Sequence, residues 1–149
     1  MIDNPTPRPT FGQTLGETSR LLGKLHRRAL TDFDTDFPTW MLLTLLKEKG
    51  APLLVDDVVT ELDLRMDLTE PDTIGVLERA ATAGHIAYQR QDQSATAQLT
   101  EAGAAHFADL YAHARKLTGA AIDDIDPAML GVAFTVLLTI KERATAELG

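Results

Sequence analysis

Residues 69–103 decide the fold, and they read TEPDTIGVLERAATAGHIAYQRQDQSATAQLTEAG. The stretch opens on Thr69, whose hydroxyl is suited to cap a helix. Pro71 follows just inside the first turn, where the N–H that proline lacks would have no partner. Apolar residues then recur at helical spacing until Gly84. We therefore predict a helix that begins at Thr69 and ends at Gly84.

The residues after this helix change from a helical period to a period of two. His85–Arg90 alternates between apolar and polar residues, Gln91–Ser94 is a polar turn, and Ala95–Leu99 alternates again. Two alternating runs joined by a short polar segment are typical of a β-hairpin. Thr100 is a suitable cap for a further helix directly after the hairpin.

Three more helices are predicted on the N-terminal side of this stretch. The first runs from Phe11 to Phe33 and has a basic polar side. The second runs from Pro38 to about Lys49, with Gly50 as its stop, and the third from about Val55 to Leu62. Residues 1–10 contain three prolines, so we expect a flexible N-terminal arm.

The C-terminal part predicts two long helices, the second of which is almost uniformly apolar. Asp126-Pro127 caps and opens this last helix, which we expect to reach about Glu147. Met129–Ile140 is apolar on nearly all sides. One domain of this size seldom surrounds a helix completely, so we expect a second copy of the chain to cover it in a homodimer.

The composition excludes several classes of protein. The chain has 149 residues, no cysteine and a net charge of −8. Without cysteine there is no disulfide and no thiolate metal site, and no signal peptide is recognised, so we expect a cytoplasmic protein. Neither serine lies in a nucleophile elbow and no phosphate-binding glycine loop occurs, so we expect neither an enzyme nor a cofactor.

The order of these elements, a helix–turn–helix followed by a hairpin between long flanking helices, outlines a winged helix. Three segments then resemble the MarR family of bacterial transcription regulators. Pro52–Leu64 (PLLVDDVVTELDL) resembles its first helix–turn–helix segment, and Gly84-His-Ile resembles its Gly-Leu-Val at the corner before the wing. Leu99-Thr-Glu-Ala-Gly103 matches its Leu-Thr-x-x-Gly.

The resemblance implies a mainly α fold, a winged helix-turn-helix with a small β-hairpin wing and long N- and C-terminal dimerisation helices. After the arm of residues 1–10, residues 11–149 would form a single domain. Its winged helix would span about 38–100 and its dimerisation helices about 11–33 and 101–147. A homodimer of this kind binds a palindromic DNA operator and often a small ligand.

The predicted DNA contacts come from three places in the winged helix, which we call the reader module. Its recognition helix is the one predicted from Thr69 to Gly84. The contacts are Arg65 in the turn before the recognition helix, Thr69, Thr73 and Arg79 in that helix, and Arg90, Gln91 and Gln93 in the wing. Arginine would neutralise phosphates, and the uncharged side chains would hydrogen-bond phosphates or base edges.

Three departures from the family pattern bear on DNA binding. The turn Arg65–Pro71 is longer than usual, the wing is shorter and lacks the usual Asp-Arg-Arg, and Asp72 and Glu78 lie on the recognition helix. Residues 51–84 hold eight acidic and only two basic side chains. The alternative function is therefore a degenerate winged-helix dimer with weak or no DNA binding, which acts through a protein partner or binds a small molecule.

A ligand site is expected where the first two helices border the reader module. Arg20, His26 and Trp40 are the candidate residues, because an arginine fork suits a carboxylate and an indole supplies an aromatic wall. They predict a small aromatic acid as ligand. Core packing of Trp40 and solvation of Arg20 is the structural alternative.

A second pattern could in principle bind a metal. His106, Asp109 and His113 share one face of a helix, at spacings that also arise by chance among surface residues. We expect no metal there.

Overall fold

The structure is a computed structural model that describes residues 9–89 and 94–149. The expected arm therefore lies almost wholly outside the described residues. The elements, in chain order, are α1 (Phe11–Thr31), α2 (Phe37–Lys49), β1 (Leu53–Leu54), α3 (Val55–Met66), α4 (Glu70–Thr82), β2 (Ile86–Gln89), β3 (Thr96–Leu99), α5 (Glu101–Gly119) and α6 (Pro127–Leu148). This order confirms the predicted mainly helical fold with a small wing.

The helix boundaries follow from local capping. The side chain of Asp36 accepts a hydrogen bond from the Thr39 N–H at 2.9 Å, and Asp126 accepts one from the Ala128 N–H at 2.8 Å. Gly50 ends α2 with φ of 67°, a left-handed conformation that glycine adopts without strain. The stop at Gly50 and the start at Asp126 are the ones that the sequence predicts, whereas the cap at Asp36 starts α2 at Phe37, one residue before the predicted Pro38.

The wing is a three-stranded antiparallel sheet with the order β1-β3-β2. Its hairpin pairs Ala87 with Gln98 and Tyr88 with Ala97. The remaining strand, β1, pairs with the other edge of β3, where Leu53 lies opposite Ala97. Two residues are too few to show a period, so only the pairing with β3 reveals this strand.

The corner between α4 and the wing is joined to the start of α5. The Thr100 hydroxyl donates to the Gly84 carbonyl at 2.6 Å and accepts from the Gly103 N–H at 3.0 Å. The Thr100 N–H donates to the His85 carbonyl at 3.1 Å. A Cβ on Gly103 would overlap this carbonyl. The Leu-Thr-x-x-Gly motif is therefore a packing device that fixes the wing against α5.

The predicted turn between α3 and α4 is wrong. Instead of ending at Leu62, α3 continues to Met66, and only residues 67–69 separate the two helices. Arg65 stabilises this additional turn, because its side chain pairs with Glu61 one turn earlier at 3.2 Å. It also pairs with Glu48 of α2 at 2.9 Å. Asp67 then ends it at φ of 53°, a conformation that aspartate tolerates better than most residues.

The chain divides into two compact units, and the division falls between Leu117 and Thr118 in the sequence. In the first unit, buried residues of α2, α3, α4 and the sheet form the main core, with Leu43, Val58 and Leu77 at its centre. A smaller cluster joins Leu30, Trp40 and Leu110. The second unit contains α6 and no buried residue.

A search of the described helices for a membrane span finds none of sufficient length and hydropathy.

Candidate functional site

The outer side of α4 is the candidate DNA-reading surface, and it carries charges of both signs. Asp72, Glu78 and Arg79 are all exposed there. Thr69 caps the helix, since its hydroxyl accepts from the Asp72 N–H at 3.3 Å. Thr69 is also exposed, so its hydroxyl could donate to a phosphate while its oxygen accepts the capping hydrogen bond.

Thr73 does not belong to this surface, and the predicted DNA contact is wrong for this residue. Its side chain is completely buried against the core, and its hydroxyl has no hydrogen-bond partner among the described residues. Helical periodicity places Thr73 one turn from Thr69, but the close packing of α4 turns it inward.

Replacing Thr73 with valine should stabilise the protein by about 1 kcal/mol, because a buried hydroxyl without a partner has lost its hydrogen bonds to water. Valine has nearly the same shape and removes that penalty. Thermal and urea unfolding of Thr73→Val would measure the gain. Thr60→Val is the matched control, since the exposed Thr60 hydroxyl already donates to the Asp56 carbonyl. Equal or lower stability of Thr73→Val would show that its hydroxyl is satisfied in solution.

Arg65 lies in the last turn of α3 and not in an open turn, and two carboxylates bind its side chain. Its guanidinium donates to Glu48 at 2.9 Å and to Glu61 at 3.2 Å. The hydrogen bond to Glu48 is the main cause that raises the Arg65 pKa further above its usual range. A phosphate would therefore have to compete with both glutamates for this arginine.

Arg79 is also paired, but more loosely. Its Nη2 lies 3.5 Å from Oδ2 of Asp36, the residue that caps α2, and the arginine side chain is 60% exposed. Exposed pairs of this kind contribute little stability, so Arg79 can exchange partners readily. The three predicted wing contacts, Arg90, Gln91 and Gln93, lie outside the described residues.

The predicted ligand residues are brought together only in part. The His26 ring lies 5.1 Å from the ring of Trp40, which is itself 8% exposed and stacked on Phe107 at 5.1 Å. Burial lowers the His26 pKa, and its Nε2 has no partner among the described residues. Arg20, by contrast, is exposed. Trp40 thus contributes to the smaller core cluster, as the structural alternative expected.

A cavity of about 600 Å³ opens at a place that the sequence did not indicate. It lies within the first unit, between the α1–α2 turn, the C-terminal half of α4 and the start of α5. Its walls include Phe33, Asp34, Asp36, Arg79, His85 and His106. These residues are dispersed over 74 positions of the chain, so no local spacing could have identified them.

Two histidines stack against each other on one wall of this cavity. The rings of His85 and His106 are 4.1 Å apart and nearly parallel, with 12° between their planes. Nε2 of His106 lies 3.2 Å from the Thr35 hydroxyl. Burial and the neighbouring His85 lower the His106 pKa, against a smaller opposing effect of Asp109. The wall is therefore flat, and the lowered pKa of His106 disfavours its charged form.

The same contacts argue against the metal site considered from the sequence. His113 pairs with Asp32 at 2.8 Å, whereas His106 contacts Thr35 and His85. Among the described residues, no group of three or more histidine, aspartate or glutamate side chains is arranged to hold a metal ion.

Comparisons with known proteins identify the fold. No family model matches the sequence, and no curated protein matches it. Solved structures do: a MarR-family transcriptional regulator from Rhodococcus sp. RHA1 has a TM-score of 0.73 and 16% identity, over 87% of this chain and 90% of that one. CouR from Rhodococcus jostii RHA1, bound to p-coumaroyl-CoA, has a TM-score of 0.73 and 16% identity, over 88% and 91%.

A third similar structure is BpsR from Bordetella bronchiseptica, whose DNA binding is regulated by 6-hydroxynicotinic acid. It has a TM-score of 0.70 and 17% identity, over 91% of this chain and 98% of that one. The chain therefore has the fold of MarR-family transcriptional regulators along most of its length.

Proposed function

We propose that this chain, which has the fold of MarR-family regulators, is itself a homodimeric DNA-binding transcriptional regulator of that type and responds to a small molecule. The observation that supports this best is the extent of the structural match, which covers the reader module and the long helices around it. The protein would act in the bacterial cytoplasm, where its operator lies.

The proposed reader consists of α4, the wing and the end of α3. Arg79 is its most available described cation, since it is exposed and held by a single carboxylate at 3.5 Å. Arg65 at the end of α3 and Arg90 in the wing would add further phosphate contacts. So few cations predict modest affinity and a shallow salt dependence, because each neutralised phosphate contributes about 0.9 to the slope of log K against log salt.

The proposed dimer joins α1, α5 and α6 of two copies. Eight large apolar side chains of α6 are exposed in a single chain. They are Met129, Val132, Phe134, Val136, Leu137, Leu138, Ile140 and Leu148. A patch of this size on a helix calls for a partner surface, and symmetric pairing of two copies supplies one.

The proposed DNA contacts predict that Arg79→Ala weakens operator binding by about tenfold and relaxes base preference. Arg90→Ala should weaken binding to all sequences alike, as loss of a phosphate contact does. A gel shift against the DNA upstream of the gene, at several salt concentrations, measures both. Lys47→Ala on α2 is the control, because it removes one exposed positive charge outside both the proposed DNA contacts and the proposed dimer helices.

The alternative function is a winged-helix dimer that has lost DNA binding. The observation in its favour is that Arg65 and Arg79 are both paired with carboxylates, beside the exposed Asp72 and Glu78. Lysine substitutions of Asp72 and Glu78 should strengthen existing DNA binding under the first function and create it under the second. Absence of wild-type binding at low salt would refute the operator proposal.

A further inference from the structure

We propose that the cavity between the α1–α2 turn, α4 and α5 binds a small planar organic cation, which displaces Arg79 from Asp36. The binding part of this inference stands on the cavity alone, and its regulatory part rests on the proposed function. The cation would be of the amidinium or guanidinium class, joined to a flat ring.

The charge of the cavity favours a cation over an acid. Two carboxylates, Asp34 and Asp36, line it, against one cation, Arg79, which is already paired with Asp36. The Asp34 backbone N–H donates to the Thr31 carbonyl at 3.1 Å, but its carboxylate has no hydrogen bond or ion pair among the described residues. Burial lowers the pKa of His106, which disfavours a positive charge on that wall of the cavity. An uncompensated negative charge therefore remains, and it would repel a carboxylate ligand.

The shape of the cavity favours a flat molecule. Phe33 lies on one side, and its ring is 6.1 Å from that of His106, which in turn stacks on His85. Aromatic faces attract both flat rings and cations. A volume of about 600 Å³ is within the range of pockets that hold small organic ligands.

The Arg79–Asp36 pair shows which head group the cavity accepts. A guanidinium already approaches Asp36 there, and a planar fork can donate two parallel hydrogen bonds to one carboxylate. A ligand with the same fork would compete with Arg79 for Asp36. Because Arg79 lies on α4 and Asp36 caps α2, the exchange would break this one surface contact between the two helices and free the Arg79 guanidinium.

Benzamidine is the probe, and benzoate and benzamide are its matched acid and neutral controls. Isothermal titration calorimetry without DNA should show benzamidine binding with a Kd on the order of 0.1–1 mM, as befits a ligand of so few atoms, and weaker binding of both controls. The ring resonances of His85 and His106 should shift in the wild-type protein. Equal binding of benzoate or benzamide, or no saturable benzamidine binding, would overturn the proposal.

Three conservative variants locate the site. Asp34→Asn and Asp36→Asn should each weaken benzamidine binding by roughly threefold to tenfold, since each removes one exposed charge. Asparagine tolerates the left-handed backbone of Asp34 and caps a helix as well as Asp36 does. Arg79→Gln should instead tighten binding, because the competing guanidinium is gone. Asp63→Asn, an exposed carboxylate on α3, is the charge-matched control.

Unchanged affinity in Asp34→Asn and Asp36→Asn would refute the site, whatever the DNA experiments show. DNA titration of the wild type with and without benzamidine then tests the regulatory part separately. A changed operator affinity supports it, and saturable benzamidine binding with unaltered operator affinity refutes it. If the protein binds no operator, the calorimetry still decides the cavity, and only the proposed function fails.

Discussion

Replacing Gly103 with alanine is expected to destabilise the protein by about 3 kcal/mol, because an added methyl group would overlap the backbone of the wing corner. The Cβ would meet the carbonyl of His85, which cannot rotate away as a flexible side chain can. The same carbonyl accepts the hydrogen bond from the Thr100 N–H. Relief of the overlap would separate the wing from α5 and break that bond.

Urea unfolding of Gly103→Ala measures this loss, and Gly16→Ala is the matched control. Gly16 lies within α1 and a Cβ there would meet nothing within 4 Å, so alanine should stabilise the helix by roughly 0.5–1 kcal/mol. Opposite signs for the two substitutions are the expected result. A fully stable Gly103→Ala protein would show that the corner yields and that the Leu-Thr-x-x-Gly motif does not fix the wing.

Replacing Leu137 with aspartate is expected to break the proposed homodimer. Leu137 is 42% exposed in a single chain, near the middle of the apolar face of α6. Twofold symmetry places the substitution in the interface twice, so the loss of two apolar contacts should weaken association by about 3–6 kcal/mol, or at least a hundredfold. The carboxylates would add a desolvation penalty.

Sedimentation analysis of the wild type, Leu137→Asp and Ser94→Asp tests the dimer. Ser94 is exposed beside the wing and acquires the same charge, so this control should remain dimeric. Monomeric or aggregated Leu137→Asp beside dimeric wild type and control is the expected outcome. A wild-type chain that is monomeric at micromolar concentration contradicts the proposal directly.

The sequence by itself determined where most elements begin and end. Thr69, Asp126 and Gly50 act on backbone groups within one helical turn, so the chemistry that ends or starts a helix is written beside it. The strands of the hairpin and the cap of α5 at Thr100 follow from equally local patterns. The winged-helix prediction was based on such local signals, as was the match of Leu99–Gly103 to the Leu-Thr-x-x-Gly of the MarR family.

Only the tertiary structure decided which side chains face outward and which meet. Thr73 is buried because α4 packs against α2 and α3, although its helical position alone allowed a surface role. Glu48 holds Arg65 across 17 positions of sequence, and Asp36 holds Arg79. The packing of the start of α5 against the end of α4 likewise brings His85 and His106 together in the cavity wall. These contacts depend on how whole helices and strands pack against one another. The spacing of residues along the chain does not show which side chains that packing brings together.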